Sequence, residues 1–328
     1  MDQLTAHLDR GWDHIQRGDA QGAEASARRA LELDAQSPEA FNLLGYASAM
    51  RGDYDTAIES YRQAIALDDT YLEAMLNAAE VFLHPLREYD DALEMCAQAL
   101  DLAETKDELV DTLLLEFDAL TGKHEHDRAA ALAGRFPPGP YENPVHGFLV
   151  GRAHYEVGSY EKALPLIEEA VRQMPDHPEA WYYLGLLREE HGDRVAATDA
   201  LLRSRELELG LAPPPWSLST ETFRATIRRV VESLEPRLQA FLRRDEIYVA
   251  ELPGVELVVD GVDPHALLLL DAVSGEPPTA RLIVYQRNVE RLVASVDEIE
   301  DETRTALEQE ITAYFLGGEA PPDGRVLN

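Results

Sequence analysis

With 328 residues, 45% of them hydrophobic, the chain is long enough for two domains or for a repeat array with one further domain. Its formal net charge of −33 opposes contact with nucleic acid and anionic lipid, so we expect neither nucleic acid nor a membrane as partner. No apolar run reaches about eighteen residues, the first residues lack the pattern of a secretion signal, and Cys96 is the only cysteine, so we expect a protein of the reducing cytoplasm.

A pattern that returns about every 34 residues runs through residues 1–211. In its second copy, Gly45 lies on the first predicted helix, Gly52 follows the end of that helix, and Ala57 lies on the second. We find about six copies, of which the fourth is degenerate because Asp127 stands where alanine is expected. Cys96 occupies a helix-packing position, which predicts a buried and inert thiol.

The small residues explain the pattern. Glycine on the first helix and alanine on the second let the two backbones approach closely, and a glycine after the first helix adopts a left-handed conformation at little cost. One hairpin cannot bury its apolar face alone, so neighbouring hairpins stack. The pattern resembles the tetratricopeptide repeat (TPR), and the resemblance covers nearly two-thirds of the chain. It implies an α-helical superhelix over residues 1–211 that binds a protein or peptide partner.

The resemblance also implies which side chains face the groove of the array. These positions are Asn42, Tyr46, Glu80, Phe148, Arg152, Tyr155, Tyr182 and Leu186. Relatives that clamp a C-terminal carboxylate use lysine, asparagine and arginine there, and this chain has Asn42 and Arg152 without the lysines. We therefore expect an apolar or basic segment as ligand. The alternative is that the groove holds only the chain's own C-terminal domain or a neighbouring loop.

After residue 211 the pattern changes. Ala212 to Trp216 include three consecutive prolines and predict a stiff linker. The elements predicted beyond it are a helix over 219–243 that Pro236 divides, strands over 247–252 and 282–286, a strand or loop over 255–261, a helix or strand over 265–273, and a final helix over about 296–316. Together they predict a small α+β domain over residues 212–328.

The segment LIVYQRNVER, residues 282–291, and its spacing to the last helix resemble the minimal zincin-like metallopeptidase domain of bacteria. In active-looking members of that family the last helix carries His-Glu-x-x-His. Two histidines four residues apart reach one zinc ion from one helical face, and the glutamate polarises the metal-bound water. An acidic residue a few positions later is a further ligand.

In this chain the resemblance places Gln309 and Ala313 at the two histidine positions, Glu310 at the glutamate and Glu319 at the acidic ligand. Glutamine is a poor zinc ligand and alanine is none. We therefore expect four vestigial positions, no catalytic residue, no metal and no cofactor. His265 is the only histidine after residue 191, and one histidine with two carboxylates makes a weak site.

Three functional hypotheses follow from the sequence. The first is a cytoplasmic bacterial scaffold in which the repeats bind a protein partner and a catalytically inactive zincin-like domain adds a second surface. The alternative is an atypical metal-dependent peptidase whose substrates are recruited by the repeats. A third hypothesis is that the C-terminal cleft is a peptide-binding pocket that does not hydrolyse its ligand.

Overall fold

A computed structural model describes residues 2–273 and 278–316. The chain divides into two compact units, Met1–Ala170 and Val171–Asn328. The domain boundary that we predict at residues 211 and 212 is a different kind of division, because it marks where the repeat pattern ends.

The first unit consists of helices that pack in consecutive antiparallel pairs. Several of them begin at a capping side chain: the Asp53 carboxylate, for example, accepts a hydrogen bond from the backbone N–H of Thr56. The helices are α1 (Gln3–Gln16), α2 (Ala20–Leu33), α3 (Pro38–Met50), α4 (Tyr54–Leu67), α5 (Leu72–Leu83), α6 (Tyr89–Leu102), α7 (Lys106–Gly122), α8 (His126–Ala133), α9 (Pro144–Glu156) and α10 (Tyr160–Gln173), whose last residues belong to the second unit.

Close approach at small residues holds each pair together. A Cβ atom built on Gly45 of α3 would lie 2.6 Å from the ring of Tyr61 on α4, and Ala57 of α4 is completely buried. The turn after α3 contains Gly52 with φ +77°, as the sequence predicts. In the degenerate fourth pair His124 takes the equivalent place with φ 59°, a conformation that costs a side chain more than it costs glycine.

The second unit begins its complete elements with one further helical pair, α11 (Pro178–Glu190) and α12 (Arg194–Gly210). The remaining elements alternate helix and strand. They are α13 (Thr220–Ser233), α14 (Pro236–Gln239), β1 (Leu242–Ala250), α15 (Val255–Val259), β2 (Leu268–Val273), β3 (Thr279–Tyr285), α16 (Gln286–Leu292) and α17 (Ile299–Ile311), with Thr312–Leu316 in wider π-helical turns.

The three strands form one sheet in the order β1-β3-β2, with β1 parallel and β2 antiparallel to β3. Its core includes Phe223 and Ile227 of α13, Leu282 and Val284 of β3, and Leu307 of α17, all nearly inaccessible to solvent. The expected small α+β region is therefore present between residues 212 and 316.

Two sequence expectations in this region need correction, and one that the sequence left open is resolved. Residues 242 and 243 begin β1, whereas the sequence pattern assigned them to a helix. Residues 255–259 form the short helix α15, although strand or loop was expected there. The segment over 265–273, left open between helix and strand, becomes strand from Leu268 because it pairs with β3. Long-range pairing with β3, which local periodicity does not contain, decides the start of β1 and the strand from Leu268.

None of the helices within residues 2–273 and 278–316 combines the length and the apolar composition needed to span a membrane.

Replacing Gly45 by alanine tests the close packing of α3 and α4. The added methyl group would stand 2.6 Å from the Tyr61 ring, so we expect the free energy of unfolding to fall by about 1–3 kcal/mol. Gly147→Ala on α9 is the matched control: its nearest contact, Tyr141, is at 3.6 Å, and a neutral or slightly stabilising effect is expected. Urea titration followed by circular dichroism measures both, and equal effects would contradict the packing argument.

The thiol of Cys96 is buried, and burial raises its pKa to about 12. At pH 8 very little of a thiol with so high a pKa is the reactive thiolate. We therefore expect an aromatic disulfide reagent to modify Cys96 far more slowly in the native protein than in the protein unfolded by about 6–8 M urea. Rapid modification of the native protein at pH 8 would show that this helix pair opens readily.

Candidate functional site

Two of the predicted groove residues of the first unit are buried between helices. Asn42 has no exposed surface: its amide N–H groups donate to the Tyr71 hydroxyl and to Glu73 at 3.2 Å each, and its oxygen accepts from Asn77 at 2.9 Å. Phe148 is 1% exposed. These two side chains therefore hold helices together, and a ligand has no direct access to them.

The other predicted groove residues of the first unit keep exposed surface. Glu80 on α5 is exposed, and Tyr46 on α3 is half-buried with its ring against Trp12 at a centroid distance of 5.6 Å. Tyr155 on α9 is half-buried and lies 5.4 Å from Tyr160, centroid to centroid. All of these lie on first helices of the pairs, which also contact one another from α1 to α9. We call this side of the first unit the first-helix face.

Arg152 lies in a cleft of about 450 Å³ at the ends of α5, α7 and α9. Its guanidinium is 3.4 Å from Asp118 and 3.3 Å from Glu156. Burial raises the pKa of Asp118, and the neighbouring side chains of Arg152 and His84 oppose that rise. Arg152 is thus already paired with carboxylates of the chain itself, unlike an arginine whose guanidinium is available to an anionic ligand.

The predicted groove residue Tyr182 contacts the loop before β2, within the second unit. Its ring stacks on the His265 imidazole with centroids 3.7 Å apart, and its hydroxyl donates to Asp263 at 2.9 Å. Leu186, one helical turn later, is half-buried. The Tyr182 side chain is therefore in contact with the chain's own loop before β2.

A buried carboxylate lies beside this stack. Glu208 of α12 is 8% exposed, and its Oε1 lies 2.8 Å from both Arg291 Nη1 and His265 Nε2. We call Glu208, His265 and Arg291 the Glu208 cluster. A carboxylate removed from water needs such partners, because an unpaired buried charge costs several kcal/mol. The cluster therefore fixes α16 and the loop before β2 to the last helical pair.

Sequence reasoning did not single out the Glu208 cluster. The available signal was the buried stripe of α12, in which Ala197, Ala200 and Ser204 are followed four residues later by Glu208. A carboxylate on an apolar stripe implies a buried partner, but the stripe does not say which cation supplies it.

The segment 286–291 makes side-chain hydrogen bonds to neighbouring loops. It carries much of the zincin-like resemblance. Asn288 donates to the carbonyls of Pro264 and Ala266 at 2.8 and 2.7 Å. Glu290 accepts from the Ser217 hydroxyl at 2.7 Å and from the Leu218 N–H at 3.1 Å. Both side chains are almost completely buried, so these positions have a structural role in the region.

Gln309 and Ala313, the two positions that the resemblance equates with zinc-binding histidines, do not line the same cleft. Gln309 and Glu310 line a small cleft of about 170 Å³ between α17 and the start of β2, with Glu302 and Thr305. Ala313 is exposed and does not line this cleft, because it falls in the π-helical turns, where residues four apart no longer share a face. Glu319 lies outside the described residues.

The chemistry of the cleft is that of a half-buried acid. Burial raises the pKa of Glu310, and no cation contributes to that shift. Within residues 2–273 and 278–316, no three histidine, cysteine, aspartate or glutamate side chains gather in a way that suits a metal ion. His265, the one histidine near in sequence, belongs to the Glu208 cluster. The described residues thus offer the carboxyl groups of Glu302 and Glu310 and the amide of Gln309 in this cleft.

Comparison with known proteins identifies the repeats. The sequence profile described as "Tetratricopeptide repeat" matches residues 8–71, 51–107 and 149–207. The chain therefore contains tetratricopeptide repeats, as the 34-residue pattern predicts.

Among curated proteins, the type IV pilus assembly protein PilF of Pseudomonas aeruginosa is 30% identical over 94 residues, which is 29% of this chain and 37% of PilF. The match thus spans little more than a third of that relative. Solved structures of P. aeruginosa PilF and of PilW, a type IV pilus biogenesis factor, resemble the chain with TM-scores of 0.55 and 0.53 at 18% and 16% identity. They cover 64% and 62% of this chain and 93% and 92% of their own, and at these identities the likeness shows the fold alone.

Glu208→Gln tests the buried cluster. The substitution keeps the shape but leaves Arg291 facing a neutral amide, so we expect the free energy of unfolding to fall by about 3 kcal/mol and hydrogen exchange to accelerate over residues 261–266. Glu206→Gln on the same helix is the control: its side chain is 71% exposed and paired with Arg203, so a change below about 0.5 kcal/mol is expected. Similar losses for the two variants would contradict the assigned role of Glu208.

Proposed function

We propose that this protein is an interaction scaffold. Its repeats bind a segment of a partner protein on the first-helix face, and its C-terminal α+β region supplies a second, non-catalytic surface. The observation that carries the proposal is the combination of tetratricopeptide repeats with a first-helix face whose accessible side chains are aromatic and acidic, as at Tyr46 and Glu80.

Charge supports a basic partner. Residues 1–170 contain 33 aspartate and glutamate residues against 13 lysine and arginine residues. On α7, Asp107 and Asp111 keep about half of their surface exposed although both also contact His146 of α9. Carboxylates on an exposed face attract a segment rich in lysine or arginine and speed its association. The aromatic ring of Tyr46 adds apolar surface and a face for a cation.

The C-terminal region supports a second surface. We interpret it as a zincin-like domain that has lost catalysis, on the basis of the segment 282–291 and of Gln309 and Ala313 at the histidine positions. The Glu208 cluster anchors this region to the last repeat. An anchored region with a cleft but without imidazole ligands is suited to holding a polypeptide rather than cleaving it.

The similar proteins support the class of function. PilF and PilW are named for type IV pilus assembly and biogenesis. Since the profile match ends at residue 207, we carry over only the role of a repeat protein in a protein assembly. The cytoplasm is the compartment that we propose, and PilF and PilW make the cell envelope the alternative to test by fractionation.

Site-specific crosslinking tests the binding face. A photoreactive p-benzoylphenylalanine in place of Glu80, on the first-helix face, should crosslink the partner in cells of the native organism. The same residue in place of Glu59, exposed on the second helix α4, should not. Mass spectrometry of the crosslinked species identifies the partner. Equal crosslinking from the two positions would contradict a partner bound on the first-helix face.

Metal analysis tests the non-catalytic assignment. We expect protein purified without chelator to contain well below one zinc per chain, because two oxygen groups do not replace two imidazoles. Stoichiometric zinc, together with peptide cleavage that Glu310→Gln abolishes, would favour the alternative of an atypical metal-dependent peptidase.

A further inference from the structure

The two outer edges of the sheet differ in how they are protected. β1 carries Arg243, Arg244, Asp245 and Glu246 in sequence, and its pairing with β3 is irregular between Leu242 and Ile247. Charged side chains and irregular pairing are the usual means by which a free edge avoids pairing with another chain. The β1 edge therefore has features that oppose pairing with a strand of another chain.

The edge formed by β2 has none of these features. Its sequence, LLLDAV, contains no proline and no lysine, and six consecutive residues pair with β3 in one regular register. Its single charge, Asp271, is paired with Arg281 at 3.2 Å. Within the described residues β3 is the sole strand partner of β2. A regular apolar edge of this kind is a template for another strand.

The register shows which backbone groups the edge offers. The N–H of Tyr285 donates to the carbonyl of Leu267 at 2.9 Å. Because inward and outward residues alternate in an antiparallel pair, Leu269 and Asp271 also point their backbone groups at β3. Leu268, Leu270 and Ala272 point theirs outward.

The cleft lined by Gln309 and Glu310 lies at the start of this edge. Leu267 and Leu268 form one side of it, and Glu302, Thr305, Gln309 and Glu310 of α17 form the other. A strand added along β2 would pass this cleft with alternate side chains directed to the same face of the sheet. The cleft would then receive one of them, and its two carboxylates favour a cation.

We propose that the free edge of β2 binds an extended segment of a partner protein by strand addition, and that the cleft between α17 and β2 holds a lysine or arginine side chain of that segment. The inference rests on the proposed non-catalytic second surface and identifies its ligand class. A second copy of this chain fits less well, because pairing two β2 edges would bring together two acidic clefts on molecules of net charge −33.

Two blocked, fluorescent peptides test the inference on the complete chain: Gly-Thr-Val-Lys-Val-Thr-Val-Thr-Gly and the same peptide with glutamate for lysine. Fluorescence anisotropy should show the lysine peptide binding at least about tenfold more tightly, the ratio expected when a charge-assisted contact replaces a repulsive one. Glu310→Gln should reduce that preference several-fold.

Ala272 provides the backbone test. Ala272→Pro removes an outward N–H without touching the hydrogen bonds to β3, and proline is tolerated on such an edge. It should abolish binding of the lysine peptide, while the matched variant Ala272→Thr, which keeps the N–H, should bind as the parent does. Thermal unfolding within a few degrees of the parent would show that Ala272→Pro is folded.

Hydrogen exchange supplies an independent readout. The amides of Leu268, Leu270 and Ala272 should exchange faster than those of Leu269 and Asp271 in the free protein and should slow when the lysine peptide is added. Slow exchange before addition would show that the edge is already covered, and it would overturn the inference. So would equal affinity for the two peptides, or undiminished binding by Ala272→Pro.

The outcomes also separate this inference from the proposed function. Recovery of cleaved peptide would refute the non-catalytic assignment. An intact peptide that fails to bind would refute only the strand-addition site and leave partner binding on the first-helix face untouched.

Discussion

A helical hairpin of this length cannot bury its apolar side alone, and the structure depends on how closely its two helices approach. At Gly45 the approach leaves no room for a methyl group beside Tyr61, and Ala57 has no exposed surface. Such close contact buries more apolar surface per residue and lets successive pairs stack with little adjustment. First helices therefore contact first helices, and the face they form becomes available for a partner.

The same stacking explains how the α+β region is held. The last pair, α11 and α12, presents Tyr182 and Glu208 to elements that lie more than fifty residues later in the chain. An apolar contact would bury surface without fixing the orientation of the two elements. The stack of Tyr182 on His265 and the contacts of Glu208 with His265 and Arg291 are directional and do fix it. The buried carboxylate of Glu208 is stable only while His265 and Arg291 remain beside it. The cluster therefore couples the folding of the pair α11 and α12 to the folding of the α+β region.

In the proposed function, a partner is bound by two surfaces that differ in the groups they offer. The first-helix face offers side chains on rigid helices, with acidic and aromatic groups, and suits a segment chosen by its side chains. The β2 edge offers backbone groups beside a carboxyl-lined cleft, and suits an extended segment chosen by its conformation and one cation.

The amino-acid sequence by itself determined the repeats, because the same spacing of glycine and alanine recurs within each hairpin and depends only on residues close together in the chain. It also determined the buried thiol of Cys96 and the change of fold type after the prolines at 213–215. Tertiary structure alone decided that Asn42 and Phe148 are buried, that residues 255–259 are helical, and that Gln309 and Ala313 separate where α17 widens. It also decided the partners of Glu208. The reason is distance along the chain: Arg291 and Tyr182 meet their partners 83 and 81 residues away, and a periodicity of a few residues contains no information about such contacts.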